Sequence, residues 1–437
     1  MHCCPPRTCR SLGWNIPYDF NNSDFAICND ILADYLSSYE KTPWDAIRYL
    51  IAEANYGGRI TDDMDRRLCN VYVSQYFCEE ALTVPQFRLS TLAEYYIPED
   101  GRLSDYKDYI ASLPMTDPPE AFGQHPNADM QSAIQDTEEL LSTVLSLQPR
   151  NVTDGGSKSE DEVFATASEL EHTLPESFDM EAVRTSMATR SDPEPLKVVV
   201  FQEVERYNAL LDVMRRTLVA LQKGIQGTVV ITPELEQIFS ALLLGRVPAA
   251  WAFCYPSLKP LGLWFRDLQA RIQQLRKWVT HEMPKVFWLS GFTYPTGFLT
   301  ALLQTSARKN GLPIDTLEFE YVVMPDGSPE LREHPKEGAY VSGLFLEGAK
   351  WDADGSCLSE PEPMQLFAPM PVIHFKPREI QKSVTRGIYK CPMYLYPVRT
   401  GTRERPSFMQ MVDLRSGTHE PEVWVRRGTA LLLALAT

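Results

Sequence analysis

YGGRITDDMDRR, Tyr56 to Arg67, is the densest polar constellation in the chain. Asp62, Asp63 and Asp65 offer carboxylate oxygens of the kind a hard cation takes, but the glycine and closing glutamate of a calcium loop are missing. The same residues also fit a helix start, where carboxylates complement the backbone dipole, with the arginines pairing to acids on a neighbouring element. Planar guanidinium groups suit contacts between domains. Arg59, Asp62, Asp65, Arg66 and Arg67 are therefore candidate interface residues, with an acidic metal site at Asp62, Asp63 and Asp65 as the rival reading.

A second candidate lies in VFWLSGFTYPTGFLTALLQTSA, Val286 to Ala307, which carries no charge between Lys285 and Arg308. Ser290 precedes Gly291 and invites a nucleophile reading. The G-x-S-x-G elbow, however, needs glycine two residues before the serine, where Trp288 stands. A P-loop fails as well: Gly291 and Gly297 are one residue too far apart, and Phe298 occupies the place of the phosphate-binding lysine. No G-x-G-x-x-G fingerprint occurs. His2, Cys3, Cys4 and Cys9 could ligate zinc, but no second ligand pair follows at finger spacing. The histidines form neither H-x-x-x-H nor H-E-x-x-H, so no metalloenzyme motif is expected. A stand-alone enzyme with Ser290 as nucleophile is kept as an alternative function.

Composition narrows the classes further. The 437 residues carry a formal charge of −16 and are 44% hydrophobic, ordinary for a globular protein but unsuited to phosphate backbones. Nucleic acid is not an expected partner. Nine scattered cysteines fit reduced thiols, and MHCCPPRTCR has neither the apolar core of a signal peptide nor the character of a transit sequence. Asn151-Val152-Thr153 matches a glycosylation acceptor by chance in such a context. The charge-free segment does not read as a membrane span, because Pro295 would break its backbone ladder where lipid offers no partner. It reads instead as a buried connection, in which Phe298, Leu299, Leu302 and Leu303 begin a packed helix.

The elements that must position these residues change texture along the sequence. Up to about Leu113, aromatic-rich helical patterns dominate: Trp44, Ile47, Leu50 and Ile51 share a face, Gly57-Gly58 stops that helix, and Thr61 opens the next. The proline-rich stretch Pro114 to Pro126 reads as a boundary. To about Leu312 the period stays helical, interrupted by a loop expected at Thr153 to Glu162. Val204, Tyr207, Leu211, Met214, Leu218, Leu221 and Ile225 form one seam, and Trp264, Leu268, Ile272, Leu275 and Val279 another; an antiparallel bundle is expected. From Pro313 the period falls to two, and TLEFEYVVM, GAYVSGLFLEGAKW, MPVIHFKP, YKCPMYLYPV and EVWVRRGTALLLAL read as strands of a small barrel or sandwich.

Together with these patterns, GWNIPYDFNNSDF, PWDAIRYLIAEANYGGRITDDMDRR, VVFQEVERYNALLDVMRRTL, LGRVPAAWAFCYPSLKPLGLWFRDL, VFWLSGFTYPTGFLTALLQTSARKNGLPID, GAYVSGLFLEGAKWD and MPVIHF resemble successive blocks at the carboxyl end of dynein heavy chains, axonemal ones above all. MHCCPPRTCR does not resemble the family sequence before GWNIPY, so residues 1–12 read as a divergent segment. The resemblance implies an α+β architecture: the end of the sixth AAA+ module, chiefly its helical small subdomain, over 13–113; a helical part of the dynein C-terminal domain over 114–312; and a small antiparallel β-barrel over 313–437. It implies a structural and regulatory piece of a minus-end-directed microtubule motor driving cilium or flagellum movement, either within a longer chain or as a free regulatory fragment. No catalytic, cofactor-binding or metal residue is implied in this chain; ATP and magnesium belong to upstream modules. The implied partners are the rest of the motor ring and the intermediate, light intermediate and light chains, with microtubules reached only through a stalk. The implied location is the cytoplasm, cytoskeleton and axoneme.

Overall fold

The computed structural model describes residues 13–16, 18, 20–147, 156–255, 257–380, 386–397, 399 and 407–435. His2, Cys3, Cys4, Cys9 and the Asn151 acceptor lie outside them. Helix α1 (Asn22–Ser38) starts with a reciprocal cap, the Asn21 side chain accepting the Asp24 N–H at 2.9 Å and the Asp24 carboxylate accepting that of Asn21. Helix α2 (Trp44–Tyr49) runs into a π-helical turn, Leu50–Tyr56, that buries Ile51, Ala52 and Tyr56. Helix α3 (Asp63–Tyr76) begins one residue later than the sequence suggests. The Tyr18 hydroxyl accepts the Thr61 N–H at 3.2 Å, while Asp62 Oδ1 accepts those of Met64 at 2.9 Å and Asp65 at 3.1 Å. Asp62, not Thr61, is thus the cap. Short helices α4 (Glu80–Thr83) and α5 (Leu103–Ser112) follow.

Helices α6 (Asn127–Leu147), α7 (Gly156–Thr173), α8 (Met180–Ala188), α9 (Glu194–Ile225), α10 (Pro233–Leu243), α11 (Leu261–Thr280) and α12 (Pro295–Asn310) form the middle of the molecule. The 32-residue α9 is its axis, with α7, α8, α10, α11 and α12 packed against it. Both expected seams are buried, only Ile225 remaining half-buried. Gly156 to Glu162, expected as loop, belongs to α7. Val163, Ala167 and Leu170 recur at helical spacing on a buried face, and the helix they anchor extends back through these residues. Among the described residues no helix is long and apolar enough to cross a membrane.

The fold is mixed helix and sheet, as expected for α+β, but the strands of the described residues form open sheets rather than a closed barrel. Strands β1 (Val286–Trp288), β2 (Leu317–Val323), β3 (Ala339–Ser342) and β8 (Ile373–Glu379) assemble in the order β1-β3-β8-β2. With β4 (Phe345–Glu347), β7 (Phe367–Pro369), β9 (Ile388–Tyr394), β10 (Phe408–Arg415) and β11 (Ala430–Leu432) the second order is β10-β9-β11-β4-β7, and β5 (Lys350–Asp352) pairs β6 (Cys357–Ser359). Two pairs are parallel, β1 with β3 and β11 with β9, so the sheets are not purely antiparallel. Each parallel pair needs a crossover: β1 comes from the charge-free segment before α12, and β11 follows helix α13 (Pro421–Arg426). That helix replaces the strand expected at EVWVRR. Its proline starts the first turn, and Trp424 and Val425 sink into the core.

Candidate functional site

The constellation Tyr56 to Arg67 lies where the amino-terminal helices meet the second sheet. Asp65 has no exposed surface: Oδ1 accepts the Asn15 N–H at 2.7 Å and Oδ2 that of Ile16 at 3.0 Å. Burial pushes its carboxyl up to about 6 despite these backbone donors. The Asn15 amide donates to Asp62 Oδ1 at 3.0 Å and to the Tyr394 hydroxyl of β9 at 2.9 Å. One turn further along α3, Arg67 donates to the Lys390 carbonyl at 2.6 Å and lies 4.9 Å from the centre of the Tyr389 ring. Asn15, Asp62, Asp65 and Arg67 therefore join α3, the segment before α1 and strand β9 in one polar junction.

Arg59 and Arg66 stay on the helical side. Arg59 pairs with the buried Asp24 of α1 at 3.3 Å, and Arg66 donates to the carbonyls of Ile60 at 2.9 Å and Gly57 at 3.2 Å, fastening the turn that leads into α3. The three acids do not converge as a metal site would require. Asp62 caps the helix, Asp65 holds backbone N–H groups and Asp63 is exposed. Among the described residues no cluster of three or more His, Cys, Asp or Glu residues could hold a metal ion.

Beside the junction, two glycines bring the beginning of the described fold against its last turn. Gly13 and Gly428 both have positive φ, +81° and +63°, and a Cβ built on Gly428 would lie 2.6 Å from the Gly13 Cα. Arg399 donates to the Gly428 carbonyl at 2.8 Å and pairs with Glu347, which also accepts from Gln131 of α6 at 2.7 Å. Tyr389 donates to the Thr429 carbonyl at 2.6 Å, and Gln124 to that of Arg426. None of these ties could be found from spacing, because the partners stand up to several hundred residues apart.

Residues 134–433 match the C-terminal domain of dynein heavy chains, and residues 6–128 match their AAA lid domain. The chain belongs to the dynein heavy chain family. The dynein-1-beta heavy chain of the flagellar inner arm I1 complex of Chlamydomonas reinhardtii is 57% identical over 436 residues, 99% of this chain and 10% of that protein. Dynein axonemal heavy chain 2 of Mus musculus and of Homo sapiens are each 50% identical over 427 residues, 97% of this chain and 10% of theirs. The chain spans about a tenth of the length of these relatives.

In this dynein heavy chain segment Ser290 is a buried residue of the 3₁₀ turn Leu289–Gly291, and no histidine or carboxylate among the described residues hydrogen-bonds its hydroxyl. The nucleophile reading gains no support. What surrounds it is a set of charges that sequence reasoning overlooked. Glu203 of α9, 1% exposed, accepts the N–H of Thr293 at 2.6 Å, the Thr293 hydroxyl at 2.8 Å and the Tyr294 N–H at 3.1 Å, capping α12 from a different helix. Arg206 closes the other side of Glu203 at 2.9 Å. Tyr207 donates to the Gly291 carbonyl at 2.9 Å, and Gln274 both accepts from and donates to the backbone of Trp288. Arg271 pairs with Asp267 at 2.6 Å beneath the Tyr255 ring, 4.1 Å from its centre. The signal was present in Glu203, a carboxylate adjoining the apolar seam of α9, but its partner could not be read.

Proposed function

We propose that this chain is the structural and regulatory carboxyl-terminal end of an axonemal, minus-end-directed microtubule motor and turns over no nucleotide itself. The observation that carries the reading is the polar junction, which ties the lid-like helices to the sheet through Asn15, Asp62, Asp65 and Arg67. A piece that braces a motor ring must keep its own parts at fixed angles, and side-chain hydrogen bonds running from α3 to the segment before α1 and to β9 supply that. On this reading Arg59, Asp62, Asp65, Arg66 and Arg67 form a domain interface, residues 13–113 are the end of the sixth AAA+ module, 114–312 the helical part and 313–437 the strand-rich part of the C-terminal domain.

The absence of G-x-x-x-x-G-K-[ST] from the sequence supports a non-catalytic role. ATP and magnesium would then be held by other modules of a longer heavy chain. The rest of the ring is the direct partner, intermediate, light intermediate and light chains belong to the same assembly, microtubules are reached through a stalk, and the place of work is the axoneme of a cilium or flagellum. Steady-state ATP turnover by the purified protein tests the proposal: no turnover above buffer is expected, and turnover abolished by a point substitution within the sequence would overturn it.

A further inference from the structure

Helix α6 is fastened to the strands through its first two turns. The Asn127 amide donates to the carbonyls of Glu362 at 2.9 Å and Gln365 at 3.0 Å, and its oxygen accepts the Met364 N–H at 2.9 Å, so this one side chain holds the connection between β6 and β7. One turn later Gln131 donates to Glu347 of β4 at 2.7 Å. Further along, Ile134, Leu140, Leu141 and Val144 are exposed. His125 sets Asn127 in place: its Nδ1 accepts the Asn127 N–H at 3.2 Å, and its carbonyl accepts that of Ala128 at 2.9 Å. A backbone N–H can only donate, so Nδ1 carries no proton in this arrangement.

The half-buried imidazole lies among charges from three other elements: Arg427 just past α13, Glu360 after β6, and Glu120 of the 3₁₀ turn Pro119–Phe122. Glu360 is itself paired with Arg427 and with His419 Nε2, the latter at 3.1 Å, and Asp129 stands in the first turn of α6. Partial burial and the Arg427 guanidinium hold the His125 imidazole below its usual value, outweighing the two glutamates. We propose that His125 is a proton-operated latch: neutral, it fastens the start of α6 to the connection between β6 and β7; protonated, it lets go. Protonation replaces the acceptor with a second donor facing the Asn127 N–H and adds positive charge at the positive end of the helix dipole. The latch is complete above the ordinary histidine value of 6.5 and is lost as pH falls below it. Its place is a joint, because the lid match ends at residue 128 and the C-terminal-domain match begins at 134, both within α6. Acid therefore loosens the link between two domains, a property of the joint that does not depend on the motor reading.

Hydrogen-exchange mass spectrometry of the full-length protein, corrected for the intrinsic exchange rate at each pH, tests the latch. Protection of the first two turns of α6, referred to α9 in the same sample, is expected to fall by about tenfold between about pH 7.5 and about pH 5.5. His125→Asn, whose carboxamide oxygen can accept the same N–H at either pH, should keep the protection at both, and His125→Ala should lack it at both. His419→Gln should behave as the wild type. Wild-type protection that does not change with pH, a measurement that needs no variant, overturns the latch, as does a pH dependence that persists in folded His125→Asn. Loss of the pH dependence in His419→Gln would assign the switch to the pair of His419 with Glu360 and overturn it too.

Discussion

Asp65 shows what a single side chain decides in this protein. Its carboxylate is the acceptor for two consecutive backbone N–H groups of the segment before α1, and it has no access to water. Because burial raises its pKa from 3.8 to about 6, the folded state binds a proton more tightly than the unfolded state between those values. Its contribution to stability is therefore fully present below about pH 4 and is lost as pH rises through about 6. Denaturant unfolding of the wild type and of Asp65→Asn should show a difference that shrinks over that window by about 1–3 kcal/mol; a pH-independent difference would count against it. Leu299, 3% exposed on α12, makes a simpler case. Leu299→Asp should cost on the order of several kcal/mol through a buried unpaired charge, seen as a large fall in Tm. An unchanged melt would remove the segment from the core.

At the scale of elements, α9 and α12 are readable from periodicity while the contact between them is not. The seam from Val204 to Leu221 announces burial because each position repeats on one helical face. Glu203 interrupts that logic, a carboxylate at a buried position, and only the arrival of Thr293 and Tyr294 from about 90 residues away explains it. Glu203→Ala should destabilise by about 2–4 kcal/mol, since the α12 donors and Arg206 lose their acceptor together; Arg206→Ala, removing a half-exposed partner, should cost far less. Chemical denaturation of both variants checks the ranking. Helix α13 teaches the converse lesson. EVWVRR alternates like a strand, yet Pro421 and the burial of Trp424 make a short helix of it. A window of six residues does not separate the two periods. Strand β10 is hard to read in FMQMVDLR because the apolar pairs Phe408-Met409 and Met411-Val412 blur the alternation.

For the whole molecule, the junction at Asn15, Asp62, Asp65 and Arg67 and the contact of Gly13 with Gly428 make the lid-like helices and the second sheet one body. Calorimetry should record a single cooperative transition covering both. Gly428→Val should lower its stability by about 2 kcal/mol or more, because a side chain meets the Gly13 backbone at a positive φ. Two separated transitions in the wild type would show the ties to be ineffective. By itself the sequence determined the helical faces, the switch of period near Pro313, the family and the failed catalytic motifs, all of which depend on residues close together along the backbone. Only the tertiary structure decided that the sheets stay open, that Asp62 caps while Asp65 binds backbone, and that distant charges enclose a segment without any. Hydrogen bonds and desolvation act through space, so groups far apart in sequence set the burial and partners of each of these residues.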